Sequence, residues 1–436
     1  MINKIQIEKL FGLYDYDIDL KNDAHVKILT GPNGYGKTTI LYIINNLLRG
    51  YFWYFYYLVF NVIKVVIDDN NVIIIRKTPM EKESDKDEVI SEEFIINFTF
   101  YQDKDLVNEF WFDKEYIHDI LEKADRYSDD LHRYSDNEDF LSANYKYITD
   151  DFIQEKSKNL TLFLQEQNSS FLGSQRIYQN KEVFSNVYSA RRYSRIRRRP
   201  TSYSIDNVSN DLSGRYTIQQ RQFSDDSQQV DSSFIKRLVH ADLRSYTEEE
   251  FKSKLKELEK LMSEYQKYHI INPMTIENDY GDYKKNKEAL SLYVDDMFNK
   301  LSSFNDFYQR LSLFDNFING KELSDKRIEL SDKGLRVVNS SGNIIPLHKL
   351  SSGEQNLIIL YYQLVFYANK HSVLLIDEPE NSIHLAWQRN MLNDYLDMAK
   401  RLNCQIIIAT HSAVFIHSKW ELTTDLFEES EKKNNE

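Results

Sequence analysis

Cysteine is nearly absent from this chain of 436 residues. The one cysteine, Cys404, excludes a disulfide within the chain and fits a reducing compartment, so we expect a cytoplasmic protein. A cysteine–histidine metal pattern and a histidine cluster of the HNH-nuclease kind are also missing from the sequence. These absences argue against a nuclease site of the chain's own.

A net positive charge is missing too. The formal net charge of −13 argues against a surface that coats nucleic acid in general. Residues 191–199 (RRYSRIRRR) are the local exception, because they contain six arginines. This segment could bind phosphates of DNA or RNA, with Tyr193 stacking on a base. It could also be a solvated loop that compensates nearby acidic residues, or bind an acidic protein partner. The arginines are Arg191, Arg192, Arg195, Arg197, Arg198 and Arg199.

No uninterrupted apolar run is long enough to predict a membrane span. Residues 51–67 come nearest, but Asn61 and Lys64 interrupt them, and the turn DDNN (68–71) follows. The period and the turn predict two strands, 58–67 and 72–77, instead of a lipid-facing helix. We therefore expect no membrane partner.

A phosphate-binding loop stands near the start of the chain, in residues 31–39 (GPNGYGKTT). Backbone N–H groups of such a glycine-rich turn can surround a β-phosphate. Lys37 would reach the β- and γ-phosphate oxygens, and the Thr38 hydroxyl could bind Mg²⁺. An apolar strand (26–30) is predicted before the loop and a helix (38–48) after it, which is the usual setting.

Two later motifs supply groups that nucleotide hydrolysis needs. The apolar strand 373–376 ends at Asp377 and Glu378, which places two carboxylates at the edge of a parallel sheet. Asp377 is positioned for the Mg²⁺ shell and Glu378 to orient and deprotonate the attacking water. A second apolar strand, 404–410, ends at His411, whose imidazole could contact the γ-phosphate.

The segment LSSGEQN (350–356) has no ligand of its own in a single chain. Its small residues lead into a predicted helix N-terminus, which is a favourable place for an anion. We expect it to face the γ-phosphate held by a second subunit, so that a homodimer or larger homo-oligomer forms. Each motif alone has an ordinary structural explanation; their order along the chain predicts an ATPase that uses ATP and Mg²⁺.

The order of these motifs resembles the ABC-type ATPase heads of the SMC and RecF group. Within that group, IDEPENSIHLAWQ (376–388), ATHSAVFI (409–416) and KWELTTDL (419–426) resemble AAA-family ATPases of prokaryotic antiphage defence. The PtuA subunits of Septu and retron-Septu systems and the AriA subunits of PARIS are the most similar. FLGSQRIY (171–178) and SQQVDSSFIKRL (227–238) also resemble segments of those proteins. The resemblance implies an α/β fold, an ABC-type P-loop ATPase head with a helical, antiparallel coiled-coil-like insertion.

The resemblance also implies roles for individual residues. Gln175 would be the Q-loop residue near Mg²⁺ and water, with Gln102 as a rival. Ser352 and Gly353 would be the signature that acts in trans, although the common ABC form has Gly where this chain has Ser352. His384 would lie near the dimer seam. The phosphate-binding set would be Gly31, Asn33, Gly34, Gly36, Lys37, Thr38 and Thr39.

Three regions are expected along the chain. They are an N-terminal ATPase lobe (1–112), a helical insert (113–325) and a C-terminal ATPase lobe (326–436). Within the insert, residues 179–233 are rich in Ser, Arg, Gln and Asp and predict an irregular segment. The tail 427–436 is predicted to be disordered.

Two apolar patterns at helical spacing predict an antiparallel helical hairpin, with its loop in residues 272–282. The first pattern is Phe251, Leu255, Leu258, Met262 and Tyr265. The second is Leu290, Tyr293, Met297, Leu301, Phe304, Tyr308 and Leu311.

The resemblance implies a slow, regulatory ATPase that senses a phage trigger and controls a separate effector nuclease of HNH or TOPRIM type. Only 25 residues follow His411, which we interpret as too few for an appended nuclease domain. Two other functions stay open. One is a RecF-like clamp in DNA repair, with the insert and the arginines on DNA; the other is an ATPase with its own nuclease site within residues 113–250.

Overall fold

The computed structural model describes most of the chain. It covers residues 1–80, 93–116, 156, 159–160, 163–164, 167, 169–173, 205–240, 245–272, 283–321, 323 and 325–434. Outside this range lie Gln175, the arginines of 191–199, nearly all of the predicted loop 272–282 and nearly all of 117–168. The predictions for these residues are not tested by the structure. The chain divides into two compact units, Met1–Pro200 with Tyr367–Glu436, and Thr201–Phe366. Residues 326–366, expected in the C-terminal lobe, fall in the second unit.

Two sheets form the first unit. An antiparallel sheet has the order β2-β1-β4-β5-β6-β7, and a parallel sheet has the order β14-β3-β13-β12-β8. The strands of the antiparallel sheet are β1 (Ile2–Leu10), β2 (Tyr14–Asp19), β4 (Val62–Ile67), β5 (Asn71–Pro79), β6 (Phe94–Gln102) and β7 (Asp105–Phe112). Those of the parallel sheet are β3 (Val26–Thr30), β8 (Ser169–Leu172), β12 (Val373–Asp377), β13 (Gln405–Ala409) and β14 (Thr423–Asp425).

The helix after the phosphate-binding loop, α1 (Lys37–Leu48), lies at the centre of the first unit's core. Its apolar residues Ile40, Ile43, Ile44 and Leu47 are fully buried among side chains from both sheets. Packing on this scale fixes the position of the helix N-terminus, where the loop ends. The same unit contains α2 (Tyr54–Tyr57), α8 (Leu385–Leu402), α9 (Ala413–Ile416) and α10 (Leu426–Asn434).

The strand pair predicted in place of a membrane span is confirmed. β4 and β5 pair antiparallel from Val62–Arg76 to Ile67–Asn71. β4 begins at Val62 and not at residue 58; the aromatic run before it forms α2, and residues 58–61 link the two. Among the residues that the structure describes, no helix is both long and apolar enough to cross a membrane.

The second unit is mainly helical. Its helices are α3 (Ile205–His240), α4 (Glu248–Lys267), α5 (Tyr283–Ser302), α6 (Asn305–Asn319) and α7 (Ser352–Tyr367), the last of which ends at the unit boundary. A small antiparallel sheet precedes α7; its strands are β9 (Lys326–Ser331), β10 (Gly334–Asn339) and β11 (Ile344–Ile345).

The prediction of an irregular segment was wrong for residues 205–233, which belong to the 36-residue helix α3. Ile205, Val208, Leu212 and Tyr216 recur at helical spacing and are buried. The remaining turns are rich in Ser, Gln and Asp. That composition concealed a helix whose fully buried apolar residues lie only in its first turns.

The helical insertion is confirmed, but its antiparallel partners differ from the predicted pair. Tyr246, just before α4, contacts Ser291, and within α4 Lys254 contacts Phe298 and Tyr265 contacts Tyr308. The partner's number rises along with the number in α4, so α4 runs in the same direction as α5 and α6. Contacts of α3 run in opposite order, from Tyr216–Phe307 and Phe223–Phe304 to Asp231–Lys300 and Arg237–Asp296. Helix α3 is therefore the antiparallel partner of α5 and α6. The second predicted pattern is also two helices, interrupted at Ser303 and Phe304.

The prediction of a disordered tail was also wrong, because residues 426–434 form α10. Leu426 is fully buried in the core of the first unit. The Asp425 carboxylate accepts the backbone N–H groups of Phe427 and Glu428 and so caps the helix N-terminus. One buried leucine and one cap order a segment whose composition alone indicates disorder.

Candidate functional site

The phosphate-binding loop joins β3 to α1 and depends on three glycines with positive φ. Gly31, Gly34 and Gly36 have φ values of 131°, 89° and 83°. A Cβ atom at Gly36 would also lie 2.9 Å from the Leu10 side chain. Both conditions favour glycine, and a glycine-rich turn of this kind can present backbone N–H groups to an anion. Asn33 lies in the exposed part of this loop.

Lys37, the first residue of α1, is buried inside this loop. Its ammonium group donates to the carbonyl oxygens of Gly31 (2.8 Å) and Pro32 (2.9 Å). Burial lowers its pKa, against the opposing charges of Glu378 and Asp377. The loop carbonyls thus hold the cation where an anionic ligand would meet it.

Thr38 and Asp377 meet although 339 positions separate them in the sequence. The Thr38 hydroxyl lies 3.1 Å from Oδ1 and 3.2 Å from Oδ2 of the Asp377 carboxylate. Burial raises the pKa of Asp377 to about 6, with a further rise from the charge of Glu378 and a lowering by the Thr38 hydrogen bond. A hydroxyl and a carboxylate beside a phosphate-binding loop are oxygen ligands of the kind that Mg²⁺ prefers.

Glu378 leaves the same strand with an unusual backbone, at φ 47°. Its N–H donates to the Ala409 carbonyl oxygen at 2.8 Å, so the turn is fixed to the end of β13. Its Oε2 accepts the Asn381 amide at 2.6 Å. The carboxylate is therefore held from its own loop, which suits a group that must orient a water molecule.

His411 lies just beyond β13, and its backbone is tied to the loop that carries Glu378. Its N–H donates to Glu380 Oε1 at 3.3 Å, and the Thr410 hydroxyl donates to the same oxygen. The His411 residue is exposed. The parallel register brings Asp377 opposite Ala409, so the two loops leave the sheet side by side.

The predicted signature lies in the second unit, at the start of α7. Ser351 and Glu354 form a capping pair, in which the Ser351 N–H (2.8 Å) and hydroxyl (2.9 Å) donate to Glu354 Oε2. Lys326 donates to the other oxygen of Glu354 at 2.6 Å. Ser352 is exposed and Gly353 half-buried, so the N-terminal turn of this helix is accessible.

Gln102 and His384 lie elsewhere in the first unit. Gln102 ends β6 and pairs with Asn71 and Asp105 in the antiparallel sheet, whereas the P-loop and Asp377 follow strands of the parallel sheet. His384 is exposed and caps α8, where its Nδ1 accepts the Ala386 N–H at 3.3 Å. Thr39 is half-buried in the first turn of α1. The roles assigned to these residues stay predictions.

Sequence reasoning missed three polar residues at this edge of the sheet: Glu380, Asn381 and Asp425. Glu380 and Asn381 follow the Asp-Glu pair directly, and that position was the available signal. Asp425 ends β14, and its Oδ2 lies 3.4 Å from the Thr30 hydroxyl at the end of β3. Nothing in the sequence pairs residues 30 and 425, because β14 has only three residues.

The groups gathered here fit a nucleoside triphosphate and Mg²⁺. The glycine-lined loop suits phosphates, Lys37 supplies a cation, and Thr38 with Asp377 offers oxygen ligands. All of them come from the carboxyl edge of one parallel sheet, where α/β proteins place their ligands.

Comparison with known proteins agrees with this chemistry. The profile of the AAA ATPase domain family matches residues 1–416. An uncharacterized ABC transporter ATP-binding protein of Methanocaldococcus jannaschii is 31% identical over 91 residues. This match covers 21% of the chain and 35% of that relative.

Two solved structures are similar across most of their length. The Smc head domain of Pyrococcus furiosus, with an extended coiled coil and bound to the C-terminal domain of ScpA, has a TM-score of 0.33 and 12% identity and covers 95% of this chain and 90% of that one. The SMC head domain of Thermotoga maritima has a TM-score of 0.35 and 10% identity, and the match covers 97% of this chain and 92% of that one. Both TM-scores lie below 0.5, and no functional conclusion follows from them.

Proposed function

This chain belongs to the AAA ATPase domain family, and we propose that it hydrolyses ATP slowly at a site completed by a second copy. We further propose that the resulting assembly senses phage infection and controls a separate effector nuclease of HNH or TOPRIM type. The observation that carries the hydrolytic part is the contact between Thr38 and Asp377, with Glu378 next to it at the same strand end.

The chain's own residues divide the work of hydrolysis. Lys37, already oriented by two loop carbonyls, would exchange part of that contact for phosphate oxygens. Glu378, held by Asn381, would orient the attacking water and accept its proton. Thr38 and Asp377 would hold Mg²⁺, which when bound supplies charge neutralisation at the phosphates. His411 would contact the γ-phosphate from the neighbouring loop.

Completion by a second copy is supported by the signature. Ser352 and Gly353 start a helix whose first turn is accessible, and the buried Glu354 holds that turn through Ser351. Such an N-terminus favours an anionic ligand. The γ-phosphate bound to another chain's Lys37 would be that ligand, which makes ATP the link between two subunits.

The antiphage role is supported by the resemblance of three segments, 376–388, 409–416 and 419–426, to ATPases of antiphage defence. The first two carry the loops with Glu378 and His411, and the third contains β14, which ends beside Thr30. The proposed partners are a phage-derived trigger and the effector nuclease. Trigger binding would bias the ATP-held assembly between a state that retains the effector and one that releases it.

A phage-challenge experiment tests this role. The chain is expressed with and without its neighbouring open reading frames, as wild type and as Lys37→Ala, and plating efficiency is measured. Protection that needs both a neighbouring gene and Lys37 is the expected result.

A cleavage assay tests whether the chain is itself a nuclease. Purified chain with ATP, Mg²⁺ and Mn²⁺ should leave plasmid, single-stranded DNA and tRNA intact. Cleavage by the chain alone that survives Lys37→Ala would instead support a nuclease site of its own, and DNA bridging without protection would support a repair clamp.

A further inference from the structure

Glu380 joins the two loops that carry the proposed water-orienting and γ-phosphate-contacting residues. It follows Glu378 by two positions, yet its carboxylate points to the loop after β13 and not to its own. Oε1 accepts the Thr410 hydroxyl and the His411 N–H. Two strand ends are thus connected by one side chain.

The hydrogen bonds continue on both sides of this contact. The Thr410 hydroxyl oxygen accepts the Ser412 N–H at 2.9 Å, which orients the hydroxyl proton towards Glu380. The Ser412 hydroxyl donates to Gln388 Oε1 at 3.2 Å, and Gln388 Nε2 donates to the Ile383 carbonyl oxygen at 2.9 Å. The network therefore runs from the loop after β13, through the start of α8, back to the loop after β12.

Burial makes the contact sensitive to small changes. Thr410 is fully buried (0% exposed), and Glu380 is half-buried. The second carboxylate oxygen, Oε2, is enclosed and has no hydrogen-bond partner among the described residues. An amide in place of the carboxylate would put an NH₂ group at that enclosed position or opposite the two donors. Either arrangement weakens a contact that is charge-assisted in the native protein.

We propose that Glu380 is a positioning residue that couples the Glu378 loop to the His411 loop, so that the hydrolysis step depends on it and ATP affinity does not. The inference rests on the proposed ATPase function. P-loop contacts to phosphate come from residues 31–39, which form no hydrogen bond with Glu380 in the described structure. Losing the contact should misplace both loops relative to a bound γ-phosphate while leaving the phosphate-binding loop unchanged.

Thr410 allows a matched pair of variants that separates this role from simple packing. Thr410→Val keeps the shape of the side chain but removes the hydroxyl, whereas Thr410→Ser keeps the hydroxyl and removes a methyl group. A packing role would make the serine variant the worse of the two. The proposed coupling makes valine the worse and serine close to wild type.

Steady-state ATPase kinetics of the full-length chain measure the effect, with affinity for a fluorescent ATP analogue and the unfolding midpoint as separate readouts. Thr410→Val and Glu380→Gln should each lower kcat about 10- to 100-fold, with KM and analogue affinity within about twofold. The double variant should lose no more than the worse single one, because both remove the same contact.

The results that would contradict the proposed coupling differ from those that would contradict the proposed ATPase function. The coupling is overturned if kcat is unchanged in both Thr410→Val and Glu380→Gln. If the wild-type chain hydrolyses ATP and Lys37→Ala abolishes that activity, the proposed function still stands. A parallel loss of analogue affinity also overturns the coupling. If Thr410→Val proves unstable, Glu380→Gln gives the answer alone. A wild-type chain without ATPase activity removes the proposed function, and the coupling with it.

Discussion

At the scale of single residues, the proposed general base is held by a neighbour only three positions away. The Asn381 amide donates to Glu378 Oε2 at 2.6 Å. Asn381→Ala should lower kcat for ATP hydrolysis about 10-fold with little change in KM, because the carboxylate loses its orientation. In a Glu378→Gln background the same change should have no further effect. An equal loss in both backgrounds would show that Asn381 acts by another route.

A second residue-scale prediction concerns pH and the signature helix. Glu354 is buried, which by itself raises its pKa, but hydrogen bonds from Lys326 and Ser351 outweigh burial and hold the pKa below its ordinary 4.5. A carboxyl with a depressed pKa in the folded state stabilises the fold above its unfolded pKa. That contribution is lost as the pH falls through the lower, folded value.

Lys326→Met should therefore destabilise the protein by about 1–3 kcal/mol near pH 7, because it removes a charge-assisted hydrogen bond. The difference from wild type should shrink as the pH falls below 4.5 and Glu354 becomes protonated. Urea unfolding at several pH values measures it. Lys252→Met, which removes the exposed pair with Glu248, is the control and should change little at any pH. A difference that grows on acidification would contradict the assigned role of Glu354.

At the scale of helices and strands, the parallel sheet and the residues on its edge were largely predictable. β3, β12 and β13 are short, mainly apolar runs bounded by polar residues, which is the usual composition of a buried parallel strand. Since parallel strands end at one edge, a motif after each run places its residues together. Thr38 and Asp377 confirm that logic by direct contact.

The helical insertion was less predictable, for a physical reason. Spacing shows which face of a helix is apolar but not which helix covers it or in which direction. About 15 residues link α4 to α5, enough at roughly 3.3 Å each to return along a 20-residue helix of about 30 Å. The two helices can therefore run parallel, and α3 takes the antiparallel place beside α5.

Cysteine cross-linking tests this arrangement, because the native chain has one cysteine and it is buried. Asp231→Cys with Lys300→Cys should cross-link with a short thiol reagent, since these side chains form an ion pair at 2.5 Å. Glu264→Cys with Lys287→Cys should not, because parallel helices keep these positions about 30 Å apart. An antiparallel α4–α5 hairpin would reverse the second result. Peptide mapping after digestion identifies the linked pair.

At the scale of the whole molecule, the groups proposed for hydrolysis are distributed over two units of the chain. The phosphate-binding loop, Asp377, Glu378 and His411 belong to the first unit, and Ser352 and Gly353 to the second. The proposal that ATP joins two copies assigns the signature of one chain to the nucleotide of the other. It follows that a defect in either part should be repairable by a second chain that is intact there.

Mixing two inactive variants tests most directly whether a second copy completes the ATP site. Ser352→Tyr changes an exposed residue and should bind ATP without hydrolysing it, whereas Lys37→Ala should fail to retain ATP. An equimolar mixture should regain about a quarter of the wild-type ATPase rate, because half of the random dimers are mixed and each has one complete site. A mixture as inactive as its two components, or a Ser352→Tyr chain that hydrolyses ATP normally alone, would contradict completion of the site by a second copy.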